Sequence, residues 1–241
     1  SLIFDICGGI PDKKQFKAVQ IGGPSGGCLP ADFLDTPIDF DSLTDAGAMM
    51  GSGGMVVMDE DTCMVDIARY FLDFTQNESC GKCTFCRIGT RHLRDTLERL
   101  TKGEGSAGDD ILIQTLSKDI KNGSLCGLGK TAPNPVLTSL KYFPEEYQAH
   151  IDKKQCPGKV CRTLIAYYID LDKCARGCDA CVGCCPTEAV FTTINRKKGI
   201  DLQLCVKCGE CQVACPPDYD AVMRISPPER APVVEKAEKK P

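Results

Sequence analysis

The spacing of apolar and polar positions changes twice along the chain. From Ser1 to about Asp59, short apolar runs, FKAVQIGG at 16–23 and GMVVMD at 54–59, alternate with the glycine clusters GGPSGGCLP and GSGG. Apolar runs this short, broken by Gly and Pro, predict strands joined by turns, hence a small α+β or β-rich unit over 1–59. Over 60–150 the rhythm is helical: Met64, Ile67, Ala68, Phe71, Leu72 and Thr75 fall at three- and four-residue steps, with Asp61 or Thr62 as the expected N-cap. RIGTRHLRDTLERL, DDILIQTLSKDI and NPVLTSLKYF continue it, separated by KGEGSAG and KNGS. Four helices with short connections predict a bundle.

Beyond a linker at 151–162, HIDKKQCPGKVC in its context, the chain repeats itself over 163–226. IDLDKC at 169–174 and IDLQLC at 200–205 each enter a cysteine-rich stretch, and EAVFTTI and DAVMRI each leave one. The unit therefore reads as two copies of strand, cluster loop, short helix and strand. The remainder, 227–241, is rich in proline and charge and reads as a flexible tail or an extended arm.

Composition narrows the classes. The 241 residues are 42% hydrophobic, enough for buried cores, yet no apolar run approaches the roughly 20 residues that span a bilayer. A net charge of -4 with scattered Lys and Arg argues against nucleic acid as a partner. Neither GGPSGG nor GSGG fits a phosphate-binding fingerprint, and no acid–base or nucleophilic constellation stands out. The chain opens at Ser1 inside SLIFDICGGIP, a segment that already reads as folded, so a fragment of a longer protein is expected.

Eighteen cysteines against two histidines and no tryptophan then dominate the chemistry. Pairs two residues apart on tight loops present their sulfurs to one point, which suits metals better than disulfides and implies a reducing, cytoplasmic setting in an anaerobe. Cys205, Cys208, Cys211 and Cys215-Pro216 form a C-x2-C-x2-C-x3-C-P run, in which three cysteines bind one [4Fe-4S] cluster and the fourth binds its neighbour. The first copy, CARGCDACVGCCP, is irregular. Aligning Cys185-Pro186 on Cys215-Pro216 gives a shift of 30, while aligning IDLDKC on IDLQLC gives 31, so one inserted residue accounts for both. One cluster is thus assigned to Cys174, Cys178, Cys181 and Cys215, the other to Cys205, Cys208, Cys211 and Cys185, with Cys184 spare. The alternative uses Cys178, Cys181 and Cys184 and frees Cys174, at the cost of the repeat. A zinc ribbon is a poorer account of two interleaved Cys-Pro runs.

A third cluster is expected in the helical unit. ESCGKCTFCRIGT spaces Cys80, Cys83 and Cys86 alike, just before a helix N-terminus that favours an anion, and Cys126 in SLCGLGK is the candidate fourth ligand. Of the remaining residues, His150, Cys156 and Cys161 suit a structural zinc ion, with Cys63 as fourth ligand; the plainer reading makes them small buried hydrophobes, and Cys7 and Cys28 are left to it. His92 reads as solvated.

ESCGKCTFCRIGT with LCGLG downstream resembles the cluster-binding region of the flavoprotein subunit of respiratory NADH dehydrogenase, and GGPSGGCLP with GMVVMDEDTC resembles the β-grasp, soluble-ligand-binding unit before it. With the ferredoxin-like domain added, the chain is similar to the β subunits of soluble, NAD(P)-linked, often electron-bifurcating [FeFe]-hydrogenases and related formate dehydrogenases. The resemblance implies a multidomain α+β protein: a β-grasp unit, a four-helix bundle carrying a [4Fe-4S] cluster at Cys80, Cys83, Cys86 and Cys126, and a bacterial 2[4Fe-4S] ferredoxin-like domain. It implies three [4Fe-4S] clusters here, FMN and NAD(P) in an upstream domain absent from this chain, and no complete catalytic site of its own. The implied partners are a thioredoxin-like [2Fe-2S] subunit and a catalytic hydrogenase or formate dehydrogenase subunit. A different expectation is a docking scaffold whose metals are only structural.

Overall fold

The computed structural model describes residues 1–237 and divides them into two units, 1–161 and 162 onward. After two short helical segments, Leu2–Ile6 and Pro11–Lys13, the first unit forms an antiparallel sheet. β1 (Phe16–Ile21) lies between β2 (Gly27–Pro30) and β3 (Met55–Asp59), with Val19 opposite Leu29 on one side and Val57 on the other. Alternation along β1 sends successive side chains to opposite faces. Val19 and Ile21 join Leu29 and the Leu43 of α1 (Phe40–Asp45) in one core, whereas Ala18 joins Cys28, Met58, Met64 and Phe143 in another. Both faces of the sheet are therefore covered. The edge strand β2 has its Cys28 N–H satisfied by the Thr138 hydroxyl at 2.9 Å.

The helical part follows as α2 (Met64–Asn77), α3 (Thr90–Lys102), α4 (Asp109–Gly123), the short α5 (Gly127–Thr131), α6 (Asn134–Tyr142) and α7 (Pro144–Asp152). Met64, Ala68, Phe71, Leu72 and Thr75 are buried on α2, which packs against α3 and α6. The start of α2 departs from expectation. Cys63, rather than Asp61 or Thr62, occupies the N-cap position and makes no side-chain capping bond; the carboxylate of Glu146, on α7, accepts from the Met64 N–H at 3.0 Å instead. A distant carboxylate at a helix N-terminus does the work of a local cap. The helix α7 is also absent from the four read in the sequence, although Pro144 at its first turn followed by Glu145 and Glu146 is an N-terminal signature.

The second unit contains β4 (Ala166–Ile169), β5 (Val190–Thr192), β6 (Lys198–Ile200), α8 (Glu210–Val213) and β7 (Val222–Ile225). Its pairing follows the repeat. The first strand of copy one pairs with the last of copy two, Ile169 opposite Val222, and the inner two pair as a hairpin, Phe191 opposite Gly199. Ile165, Tyr167, Ile169, Val190, Ala221 and Val222 close into one core with Cys181 and Cys211. A helix forms only in the second copy; turns replace it in the first. The expected flexible tail is held at least as far as Ala237: Lys236 bridges to Thr193, pairs with Asp201 at 2.5 Å and covers the Phe191 ring at 5.2 Å. The lysine neutralises a carboxylate and lies over a half-buried ring, which anchors this polar segment. The last four residues, 238–241, lie outside the described residues. Among the described residues no helix is long and apolar enough to cross a membrane.

Candidate metal centres

The most compact group of donor atoms is Cys63, His150, Cys156 and Cys161, all buried, with every donor atom within 4.8 Å of the others. His150 Nε2 lies 3.5 Å from Cys63 Sγ and 3.5 Å from Cys161 Sγ, and the two sulfurs are 3.7 Å apart. Each ligand has a reason to be there. Cys63 heads α2, His150 sits in the last turn of α7, and Gly158 lets the 156–161 turn press on the backbone before α2: a Cβ there would lie 2.7 Å from Asp61 O and 3.0 Å from Cys63 N. His150 Nδ1 is 2.7 Å from the Glu146 carbonyl, so Nδ1 carries the proton and Nε2 offers its lone pair to the sulfurs' common centre. Glu146 in turn pairs with Lys17 of β1 at 2.5 Å, and Lys17 also donates to Thr62 O.

Electrostatics alone leave this group short of positive charge. Hydrogen bonds from Cys161 and Cys63 push the Cys156 thiol far down, while the same sharing with Cys156, together with burial, pushes Cys63 and Cys161 up. Three buried thiols beside one another support one thiolate, and further ionisation calls for a cation among them.

At the other end of the helices, Cys80 and Cys83 lie on the loop before a wide helical turn, Phe85–Gly89, that carries Cys86 into α3. Cys86 is buried, whereas Cys80 and Cys126 are exposed. Cys126 is the N-cap of α5, and the N–H groups of Gly129 and Leu128 aim at its sulfur, which lowers its thiol from the ordinary value. Ser79 Oγ stands 3.2 Å from Cys86 Sγ and takes the Gly81 N–H at 3.3 Å, so its own proton is free for the sulfur. The two segments meet at Gly129. A Cβ on it would sit 3.3 Å from Cys86 Cβ and 2.5 Å from Ser124 Oγ, so only glycine allows α5 this close to Cys86.

In the second unit, two small cavities lie in the cysteine loops. Cys174, Cys178, Cys181 and Cys215 line the first, and Cys185, Cys205, Cys208 and Cys211 line the second. Cys184 lines neither; its thiol turns to the Cys181 carbonyl at 3.4 Å. The remote cysteines are held alike in the two copies, with Ala189 N–H on Cys185 Sγ at 3.2 Å and Ala221 N–H on Cys215 Sγ at 3.3 Å. Burial pushes the inner thiols up, Cys181 to about 11 and Cys211 to about 12. Cys185 feels burial too, but the N–H groups of Thr187 and Ala189 outweigh it and hold its thiol below the ordinary value. The nearly buried Lys198 lines the first cavity and pairs with Asp179 at 2.5 Å.

Comparison with known proteins bears on the helical part first. Residues 66–150 match the NADH-ubiquinone oxidoreductase-F iron-sulfur binding region, a span that contains Cys80, Cys83, Cys86 and Cys126. The chain is a relative of NADH dehydrogenase-type F subunits. It is 54% identical over 192 residues to the NADP-reducing hydrogenase subunit HndC of Solidesulfovibrio fructosivorans, covering 80% of this chain and 39% of that one. It is 42% identical over 156 residues to an F-type subunit of the NADH-quinone oxidoreductase of Rhizobium meliloti, covering 65% and 37%. A crystal structure of an NAD+-reducing [NiFe]-hydrogenase in the H2-reduced state aligns with a TM-score of 0.55 and 30% identity over 62% of this chain and 26% of that one. The chain thus spans about two fifths of the curated relatives it matches.

These F-type relatives are subunits of hydrogenase and NADH:quinone oxidoreductase complexes. Sequence reasoning named sixteen candidate ligands, but not the groups around them: Glu146 and Lys17 behind His150, and Ser79, Ser124 and Gly129 beside Cys86. Glu146 was legible as a first-turn carboxylate of an unread helix. Lys17 and Ser124 carry no signal of spacing.

Proposed function

We propose that the chain is the iron–sulfur relay of an NAD(P)-linked oxidoreductase complex of hydrogenase type, passing electrons between a nicotinamide–FMN site in an upstream domain and partner redox subunits. The observation that carries the reading is the lining of the two cavities in the second unit, each with four cysteines drawn from both copies of the repeat. Cys80, Cys83, Cys86 and Cys126 hold a third centre within the F-type region. When bound, [4Fe-4S] clusters supply one-electron storage at potentials set by their surroundings. The chain's own part is to hold the cysteines as thiolates, to aim N–H and O–H groups at their sulfurs and to keep water from the buried ones. The segments 1–59, 60–150 and 163–226 read as β-grasp, four-helix bundle and 2[4Fe-4S] ferredoxin-like, and a catalytic hydrogenase and a thioredoxin-like [2Fe-2S] subunit complete the chemistry in the cytoplasm. The chain carries no complete catalytic site of its own.

A zinc ion belongs at Cys63, His150, Cys156 and Cys161. Tetrahedral zinc at about 2.3 Å from sulfur and about 2.0–2.1 Å from nitrogen places ligand atoms about 3.8 Å apart for S–S and about 3.5–3.6 Å for S–N. The observed separations, 3.7 and 3.5 Å, support that ion, and its charge would allow the three thiols to ionise together.

Metal analysis with EPR tests both statements. Anaerobically prepared chain is expected to hold about 12 iron, about 12 acid-labile sulfide and about one zinc, with EPR signals that appear on reduction and vanish on reoxidation. Redox-silent metal, or zinc in place of iron, would reject the relay and favour a structural scaffold.

A further inference from the structure

Ser124 closes α4. Its N–H bonds to Ile120 O at 3.1 Å, its side chain is only 2% exposed, and its Oγ has no hydrogen-bond partner. A hydroxyl taken out of water without a partner is destabilising, so the position raises the question of what accepts its proton. The neighbours answer it. Ser124 Oγ and Cys86 Cβ both lie within 3.3 Å of the point where a Gly129 Cβ would stand, beside the turn whose N–H groups serve Cys126. The hydroxyl is thus enclosed in the same small space as the Cys86 side chain, and Ser79 already occupies a hydrogen-bonding position on Cys86 Sγ.

We propose that the Ser124 hydroxyl donates a hydrogen bond to the sulfur of the cluster held by Cys80, Cys83, Cys86 and Cys126, and that it raises the reduction potential of that centre. The inference rests on the ligand set proposed above. Reduction by one electron adds one negative charge, and a fixed O–H dipole aimed at sulfur stabilises the reduced form more than the oxidised one. Ser117 provides the comparison. It is the other serine with a buried, unpartnered hydroxyl among the described residues, but it stands two turns earlier on α4, about 10 Å along the axis.

An EPR-monitored redox titration of the full chain tests the proposal, with the signal of this centre identified as the one lost in Cys126→Ala. In Ser124→Ala the iron content is expected to hold and the midpoint potential to fall. The fall should correspond to a three- to tenfold change in the reduction equilibrium, tenfold being about 59 mV for one electron. Electron–nuclear double resonance should lose one coupling to an exchangeable proton, and Ser117→Ala should change neither readout. An unshifted potential with the coupling retained in Ser124→Ala overturns the proposal while leaving the ligand set intact. If Cys126→Ala removes no signal, the ligand set fails and the proposal with it. If Ser124→Ala cannot retain iron, the unmodified reduced centre decides: it must couple to an exchangeable proton besides the one lost in Ser79→Ala, and absence of that coupling refutes the role.

Discussion

Cys174 and Cys184 are the same residue type ten positions apart, and their surroundings separate them. Cys174 lines the cavity with Cys178, Cys181 and Cys215, whereas Cys184 faces a carbonyl. Cys174→Ser is therefore expected to cost about 4 of about 12 iron atoms, and Cys184→Ser none, as read by iron analysis. Equal losses in both would return the assignment to the evenly spaced Cys178, Cys181 and Cys184. The two histidines divide in the same manner. His92 is exposed on α3, while His150 is fully enclosed and has its tautomer set by Glu146 O. Spacing within the repeat already favoured Cys174, because a single inserted residue reconciled both alignments. Nothing in the local sequence distinguished the tautomer of His150, since its partner is a backbone carbonyl one turn earlier on an unread helix.

Elements place these residues by how closely their ends approach. The first turn of α5 can lie against Cys86 only because Gly129 has no Cβ. Gly129→Ala inserts a carbon 2.5 Å from Ser124 Oγ, 2.6 Å from Ser124 Cβ and 3.3 Å from Cys86 Cβ, so backbone must move. The expected result is a loss of about 1–3 kcal/mol in urea unfolding together with the iron of this centre. Gly127→Ala, two residues earlier and with nothing within 4 Å of its added carbon, should change neither. The beginning of α2 follows a similar logic. Its N-terminal N–H is served from α7 by Glu146, which frees Cys63 to turn toward His150. The helical period of α2 was plain in the sequence, but its cap was not. A cap supplied from 82 residues away leaves no trace in adjacent residues.

Within the first unit of the molecule, strand β1 and helices α2 and α7 meet at the four-ligand group through Lys17, Glu146, Cys63 and His150. A bound ion there would join segments that the sheet and bundle cores only partly hold. Removing zinc with a chelator, or replacing His150 by Ala, is expected to lower the thermal midpoint of this unit by about 4–8 °C, as for a loss of about 2 kcal/mol. Iron content should stay unchanged, and calorimetry with metal analysis reads both. An unchanged midpoint would assign the four residues to ordinary core packing. The second unit shows the other way a small domain gains order: its two copies exchange strands, and each cavity takes its fourth cysteine from the opposite copy. A core in which two of the buried side chains are cysteines has little apolar area to spare, so bound metal would contribute to its stability.

The amino-acid sequence by itself determined what repeats or keeps a fixed period: the strands of the first segment, the helices of the second, the two copies of the third and the cysteine triplets. Those features depend on interactions between neighbours in the chain, where side-chain direction follows from backbone periodicity. Only the tertiary structure showed which tautomer His150 holds, which hydroxyl stands against the Cys86 sulfur and where the tail runs. The course of the tail, like the lining of the two cavities, depends on segments tens of residues apart in the chain being brought together. Only packing of whole elements sets distances of that kind.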